Sequence, residues 1–196
     1  MCLFCGIKII LLSANLASRT LDPTRPINEN DGWEHVLTDL TTVHDYTASE
    51  VIAKSYEKLP DLPNAIVCDR SIFLPAIDHV EPAAKHISGA PLMCTEFGGL
   101  NIAAPKQDAD SKDWGYITAD NANDLVKRVE GQISAFLMTP GLSALVYTQL
   151  SDIEQEVNGL YTYDRKPKVE PAKMKAVFEK AEELYFANLK KQGISF

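Results

Sequence analysis

Short β-type runs and helix-period runs take turns along this chain, and that alternation limits the fold more than any other feature. Residues 40–46 (Leu-Thr-Thr-Val-His-Asp-Tyr) are rich in β-branched side chains and read as a strand. Residues 91–96 form a compact apolar run that ends in Thr95-Glu96 and feeds the tight Phe97-Gly98-Gly99 loop. Residues 143–150 read as a further strand, alternating near its end. Helical spacing fills the intervals. A helix over 51–59 follows Thr47 or Ser49 as a cap. Another over 123–138 carries the stripe Leu125, Val126, Val129, Ile133, Phe136 and Leu137. A last helix opens at Glu170-Pro171, with Met174, Val177, Phe178, Ala181, Leu184 and Tyr185 on one face. At the front, Ile10, Leu11, Ala14, Ala17 and Leu21 give a helix over 7–21, halted by Asp22-Pro23. Residues 65–68 and 71–74 read as short strands or loop. Strands separated by helices imply an α/β fold with a parallel sheet.

The 196 residues suit one ordinary domain, and 45% hydrophobic with 23% charged residues is typical of a folded globular chain. Nineteen basic against 27 acidic side chains leave a formal charge of −8. Nucleic-acid backbones and anionic membranes need clustered positive charge, so neither is an expected partner. No apolar run is long enough to cross a bilayer. The first residues lack the basic start of a signal peptide, which gives a cytoplasmic expectation. Cys2 and Cys5 form a C-x-x-C without the second pair that a zinc site needs, and they read as incidental thiols. Asp152, Glu154 and Glu156 form either a solvated acidic run or a calcium-like group. They lack the glycine and spacing of an EF-hand loop, so no metal and no cofactor is expected.

In parallel α/β folds, ligands gather at the carboxyl ends of the strands. The residues there are Asn30, Asp31 and Trp33; His44, Asp45 and Tyr46; Glu96; and Gln149, Asp152 and Glu154. Glu96 stands out because a carboxylate closing an apolar strand must be hydrogen-bonded, paired or functional. Taken alone, a surface carboxylate is the plainer reading. His44 and Tyr46 share a strand face. Cys94 lies on the apolar strand two residues before Glu96 and reads as an inert buried thiol. Trp33 and Trp114 sit in polar loops, where an aromatic ring suits either a sugar face or packing on its own scaffold.

Five stretches, in this order and spacing, resemble the catalytic barrel of glycoside hydrolase family 2, which contains β-galactosidases, β-glucuronidases and β-mannosidases. They are Leu21-Asp-Pro-Thr-Arg-Pro26, Asn30-Asp-Gly-Trp-Glu-His35, Val43-His-Asp-Tyr46, Cys94-Thr-Glu-Phe-Gly-Gly99, and Tyr147 to Gly159 continuing to Asp164-Arg165. The likeness covers nearly all of residues 15–185. It implies a (β/α)8 TIM barrel and a retaining glycosidase acting on β-galactoside-like O-glycosyl bonds. By this resemblance Glu96 is the nucleophile and Tyr46 orients it. Asn30, Asp31, Trp33 and His44 line the sugar subsite, and Trp114 and Gln149 close its wall. Gln149 stands where well-studied members carry tryptophan.

The family's acid/base is a glutamate in an Asn-Glu pair ending the fourth strand. The helix over 7–21 resembles the one that follows that strand. The resemblance therefore implies a single partial catalytic domain over 1–196: the second half of a barrel, strands five to eight with their helices over 22–192. Asn28-Glu29 then belongs to the wall of the fifth strand rather than to the acid/base pair. The expected partner is a carbohydrate substrate, with self-association or pairing with an N-terminal half through exposed edges and apolar side chains such as Ile27, Val43, Met93 and Val146. The competing readings are a non-catalytic carbohydrate-binding or interaction remnant of a half barrel, and a metal-dependent barrel hydrolase.

Overall fold

The computed structural model describes residues 3–56, 66–68, 70–74, 86–102, 114–139, 141–191 and 193. The elements run α1 (Leu3–Leu21), β1 (Thr41–Asp45), α2 (Ser49–Tyr56), β2 (Ile66–Val67), β3 (Arg70–Ser71), β4 (Leu92–Gly98), β5 (Leu100–Ile102), β6 (Ile117–Ala119), α3 (Ala122–Leu137), β7 (Leu142–Thr148) and α4 (Pro171–Lys191). The fold is mixed α/β with parallel pairing, as the alternation implied: β1 runs parallel to β4, and β5 parallel to β6. The chain divides into two compact units. One comprises Met1–Asp45, Lys58–Phe97 and Gly141–Val146; the other comprises Tyr46–Glu57, Gly98–Pro140 and Tyr147–Phe196.

The first unit is built on the sheet of order β1-β4-β7. Every residue of β1 is buried, which is what a parallel strand covered on both faces requires and why its sequence is β-branched. Val43, Leu92, Cys94 and Phe97 form its core with Ile72, Phe73 and Leu74. The β2–β3 hairpin is antiparallel and is followed by a parallel bridge from His35 to Phe73.

Two expectations fail in this unit. The apolar stripe chosen for the first helix is not its packed face. Ile10 is 67% exposed and Leu21 86%, whereas Asn15 is fully buried. The docking of α1 is polar: Asn15 Nδ2 donates to the Leu37 carbonyl at 2.6 Å, and Arg19 donates to Asn15 Oδ1 at 2.9 Å and to Asp39 at 2.7 Å. The expected fifth strand is also not formed, since residues 22–40 are turns and loops except for the His35 bridge. Glu29 is therefore no strand-wall residue. Its carboxylate folds inward, accepts the backbone N–H groups of Val36 and Leu37, and faces His35 Nδ1 at 3.4 Å.

The second unit packs α2 and α4 against α3, with the β5–β6 pair also against α3. Asn121 starts α3 by accepting the N–H groups of Asn123 and Asp124, satisfying two of the donors that open every helix. Leu125, Val129, Ile133 and Phe136 are buried as the stripe implied, and Gln132 is buried among them. Tyr56 meets Phe136 edge to face, at 5.3 Å between centroids. β5 and β6 escaped the sequence reading because each has three residues, too few to show a period of two. The acidic run is neither solvated throughout nor a cation cage. Asp152 is buried, holds the Lys168 ammonium at 2.6 Å and accepts the Gly159 N–H, while Glu156 accepts from Asn158. No helix among the described residues is long and apolar enough to cross a membrane.

Candidate active site

The carboxyl ends of β1 and β4 bring four of the singled-out residues together in the first unit. Along most of this pair the register advances one residue for one, with Thr42 opposite Met93 and Val43 opposite Cys94. Between Val43 and His44 it skips Thr95, so His44 lies opposite Glu96. That irregularity turns the histidine ring toward the glutamate. His44 Nδ1 stands 3.2 Å from Glu96 Oε2, and its Nε2 stands 3.0 Å from Asp31 Oδ2. A neutral imidazole can donate through one nitrogen only. Bonding both carboxylates at once takes an imidazolium or a proton held on one carboxyl.

The surrounding loop holds that ring in place. Gly32 has φ of +92°, and a Cβ there would come within 2.5 Å of the His44 ring. Only glycine combines that backbone with that approach. Trp33 packs edge-on to His44 at 4.6 Å, and the Arg70 guanidinium covers the Trp33 ring at 4.5 Å. The indole Nε1 of Trp33 is buried with no acceptor among the described residues. Asn30 serves the loop itself, donating to the Trp33 carbonyl at 2.6 Å.

Asp31 and Glu96 are partly open to solvent, while the His44 side chain between them is only 10% exposed. Partial burial works against the charge on Asp31. Hydrogen bonds from His44, Thr95, Thr42 and Asn28 outweigh it and hold that carboxyl below the usual carboxylate range. Thr95, the residue skipped in the register, donates to Asp31 Oδ1 at 2.8 Å. Burial pushes the Cys94 thiol far up, so it is not a nucleophile. Cys68 is exposed. Cys2 lies outside the described residues, and so does the side chain of Cys5. No metal-holding group of three or more His, Cys, Asp or Glu occurs among the described residues.

The remaining singled-out residues, Tyr46, Trp114 and Gln149, belong to the second unit. Tyr46 stacks on Tyr116 with parallel rings 3.8 Å apart, and Trp114 meets Tyr116 edge-on at 5.6 Å. The stack lies over Gly99, whose φ is +62° and where a Cβ would strike both tyrosines. Gln149 donates to Asn158 Oδ1 at 2.9 Å, and Asn158 in turn donates to Glu156. Trp114 is bridged by its backbone to Gln155 and Val157. Tyr116, Thr95 and Asn158 were missed from sequence. Tyr116 could have been found as an aromatic two residues from Trp114, but a lone Thr or Asn carries no signal.

No protein-family model matches the chain, and no curated protein sequence does. Solved structures do match. PfGH50B aligns over 94% of this chain and 24% of its own length, with 11% identity and a TM-score of 0.53. At that level the chain shares the fold of the matched part of PfGH50B. A GH2 β-galacturonidase from Eisenbergiella tayi bound to galacturonate aligns over 84% of this chain and 28% of its own, with 13% identity and a TM-score of 0.48. An exo-β-agarase aligns over 76% and 17%, with 14% identity and a TM-score of 0.49. The chain thus spans less than a third of each of these structures, and at these identities the likeness is one of fold.

Proposed function

We propose that this chain is part of the catalytic domain of a retaining, family 2-type glycoside hydrolase, with Glu96 as the nucleophile. The observation that carries the reading is the register skip that sets Glu96 opposite His44 at the carboxyl end of two parallel strands, with Asp31 on the far side of the ring. The motif order read from sequence supports it. In this reading β1, β4 and β7 are numbers six to eight of a barrel. His44 holds one oxygen of Glu96, and the carboxylate stays partly open to solvent, as a nucleophile must be to reach an anomeric carbon. Asp31, held as an anion, suits sugar hydroxyls as an acceptor. Trp33 offers a ring beside them, and Asn30 keeps its loop in shape. The family resemblance assigns Tyr46 the role of orienting the nucleophile, and Trp114 and Gln149 that of closing the sugar subsite.

A retaining glycosidase works with two carboxyls roughly 5–5.5 Å apart. Asp31 is tied to Glu96 through the width of an imidazole ring, which suits a binding role better than that of the second carboxyl. The acid/base is the Asn-Glu glutamate that the family carries on its fourth strand, supplied by a complementary half of the barrel. The reaction on this chain is then the first half of the cycle. Glu96 attacks the anomeric carbon, the glycosyl–oxygen bond breaks, and the leaving oxygen departs with the bonding pair. When the leaving group is a dinitrophenolate, it needs no proton from an acid.

That property gives the test. The 196-residue chain is incubated with dinitrophenyl 2-deoxy-2-fluoro-β-galactoside and the matching glucuronide, and adducts are located by peptide mass mapping. One glycosyl adduct on Glu96 is expected, with no ordinary turnover of nitrophenyl β-glycosides. An adduct elsewhere, or none, overturns the nucleophile. Ordinary turnover that disappears in Glu96→Gln overturns the half-site reading, because an acid/base would then lie within these residues.

A further inference from the structure

The loop that follows β7 in the second unit carries a hydrogen-bond chain whose direction is set from one end. Glu156 Oε1 accepts from Asn158 Nδ2 at 3.0 Å, and Asn158 Oδ1 accepts from Gln149 Nε2 at 2.9 Å. An ionised carboxylate has nothing to donate. Asn158 must therefore turn its NH2 toward Glu156, which leaves its carbonyl oxygen for Gln149. Gln149 must in turn direct its own NH2 inward. Asn158 is fully buried, so its amide has no solvent to turn to. Gln149 is half-buried, and its Oε1 meets no donor among the described residues and is not sealed from water. Its main chain is fastened as well: the Gln149 carbonyl accepts the Leu160 N–H, and the Thr148 carbonyl accepts that of Gly99. Trp114 lies along the same stretch, donating its N–H to the Gln155 carbonyl and accepting that of Val157, and it is 45% exposed.

We propose that Glu156 and Asn158 are positioning residues that make Gln149 an obligate hydrogen-bond acceptor, so that a bound sugar must present a hydroxyl there as donor. The inference rests on the place proposed for Gln149 in the sugar subsite and adds the direction of its bond. A glutamine free to turn its amide over offers a ligand either a donor or an acceptor. It then serves a hydroxyl, an ether oxygen or a carboxylate alike. Gln149 is not free in this way. Turned over, its Oε1 would face Asn158 Oδ1, and two acceptors would meet with no proton between them. The position therefore takes an O–H. It repels the carboxylate of a uronate, whose charge would add to that of Glu156 behind the amides. A neutral sugar is the class that fits, with the exposed part of Trp114 as apolar surface for its C–H groups.

The test is an analogue series. The ¹⁵N-labelled chain is titrated with methyl β-galactoside and with its deoxy and O-methyl analogues at each hydroxyl, following the Gln149 side-chain amide and the Trp114 indole. An ether oxygen accepts but cannot donate. At one hydroxyl, both analogues are expected to bind roughly five- to tenfold more weakly than the parent, the worth of one lost hydrogen bond. Both penalties should vanish in Gln149→Met. In Glu156→Gln, whose amide lets the chain reverse, the ether should recover toward the parent while the deoxy sugar does not. A merely structural Glu156 would weaken every ligand alike and leave these ratios unchanged. If Glu156→Gln does not fold, the series on the unmutated chain and on Gln149→Met decides. The inference is overturned if no hydroxyl shows the double penalty, if Gln149→Met retains it, or if the ether penalty is unchanged in folded Glu156→Gln. Absence of saturable shifts overturns it too, and fluoroglycoside labelling of Glu96 in the same preparation then decides separately whether the glycosidase reading stands.

Discussion

Two histidines of the first unit, His35 and His44, each face a glutamate, and they do opposite things. Glu29 and His35 are 3.4 Å apart with side chains at 1% and 0% exposure. Every direction around them is occupied. Glu29 takes the Val36 and Leu37 N–H groups, and His35 Nε2 meets the backbone and hydroxyl of Thr42. Glu96 and His44 are 3.2 Å apart, yet the glutamate side chain is 38% exposed. The same residue pair is a loop brace where backbone closes over it, and a candidate reactive group where the backbone leaves an opening. Thr42 and His44, two residues apart on β1, serve one cluster each. The difference lies in solvent access and in how many backbone donors converge, not in residue type.

The largest effect that would separate the clusters is chemical. Glu96→Gln should lower labelling by the fluoroglycoside by several orders of magnitude, as removal of a nucleophile does, with an unchanged urea midpoint. Comparable loss in Glu29→Gln, measured on the folded fraction, would erase the distinction drawn between the two pairs.

Stability should respond the other way. Glu29→Gln removes a buried charge that organises two backbone amides and His35, and about 3–5 kcal/mol of unfolding free energy should go with it. Urea denaturation at neutral pH measures this directly. A loss below about 1 kcal/mol would mean that the loop over 29–37 holds its shape without the carboxylate.

Acid should reproduce that loss in the unmutated chain. Burial opposes the charge of Glu29, but hydrogen bonds from His35 and the Val36 N–H, with attraction to His35, override it and bring the group from 4.5 down to about 2. A folded-state value below the unfolded one stabilises the fold above the unfolded value. The contribution, about 3 kcal/mol for such a shift, should therefore be present above pH 4.5 and disappear as the pH falls toward 2. In Glu29→Gln this part of the pH dependence should be missing. Parallel curves for the two proteins between pH 5 and 2 would show that Glu29 is not its source.

How much of this could be read from sequence depended on whether a feature repeats. Leu125, Val129, Ile133 and Phe136 recur at helical spacing, and the structure buries all four. β1 and β4 announced themselves by composition. The first helix was legible as a helix but not in its docking: an apolar stripe names the packed face only when a partner covers it, and here Asn15 and Arg19 bond the neighbouring loop instead. Gln132 was hidden for the opposite reason, as a polar residue inside a face that periodicity marks as apolar. Of the site, Glu96, His44, Asp31 and Trp33 were all singled out. Their meeting was not derivable, because a strand read without its partner puts His44 beside Thr95 as easily as beside Glu96. The skipped residue is a property of two strands together. Glu29 could not be distinguished from a strand-wall residue until the loop closed around it.

The smallest effect is the most discriminating, because it tests whether openness rather than proximity defines the Glu96 cluster. Asp31 lies 3.0 Å from His44, closer than Glu29 lies to His35. Distance alone would make it the stronger structural contact. Its side chain, however, is 44% exposed, and water competes for each hydrogen bond it accepts. Exposed ion pairs contribute roughly 0–1 kcal/mol. Asp31→Asn should therefore lower the unfolding free energy by no more than about 1 kcal/mol while slowing fluoroglycoside labelling. The slowing should be ten- to a hundredfold, the range of a lost hydrogen bond to a charged group of roughly 1.5–3 kcal/mol. A destabilisation approaching that of Glu29→Gln, with labelling intact, would make Asp31–His44 a second brace and leave Glu96 without its proposed support.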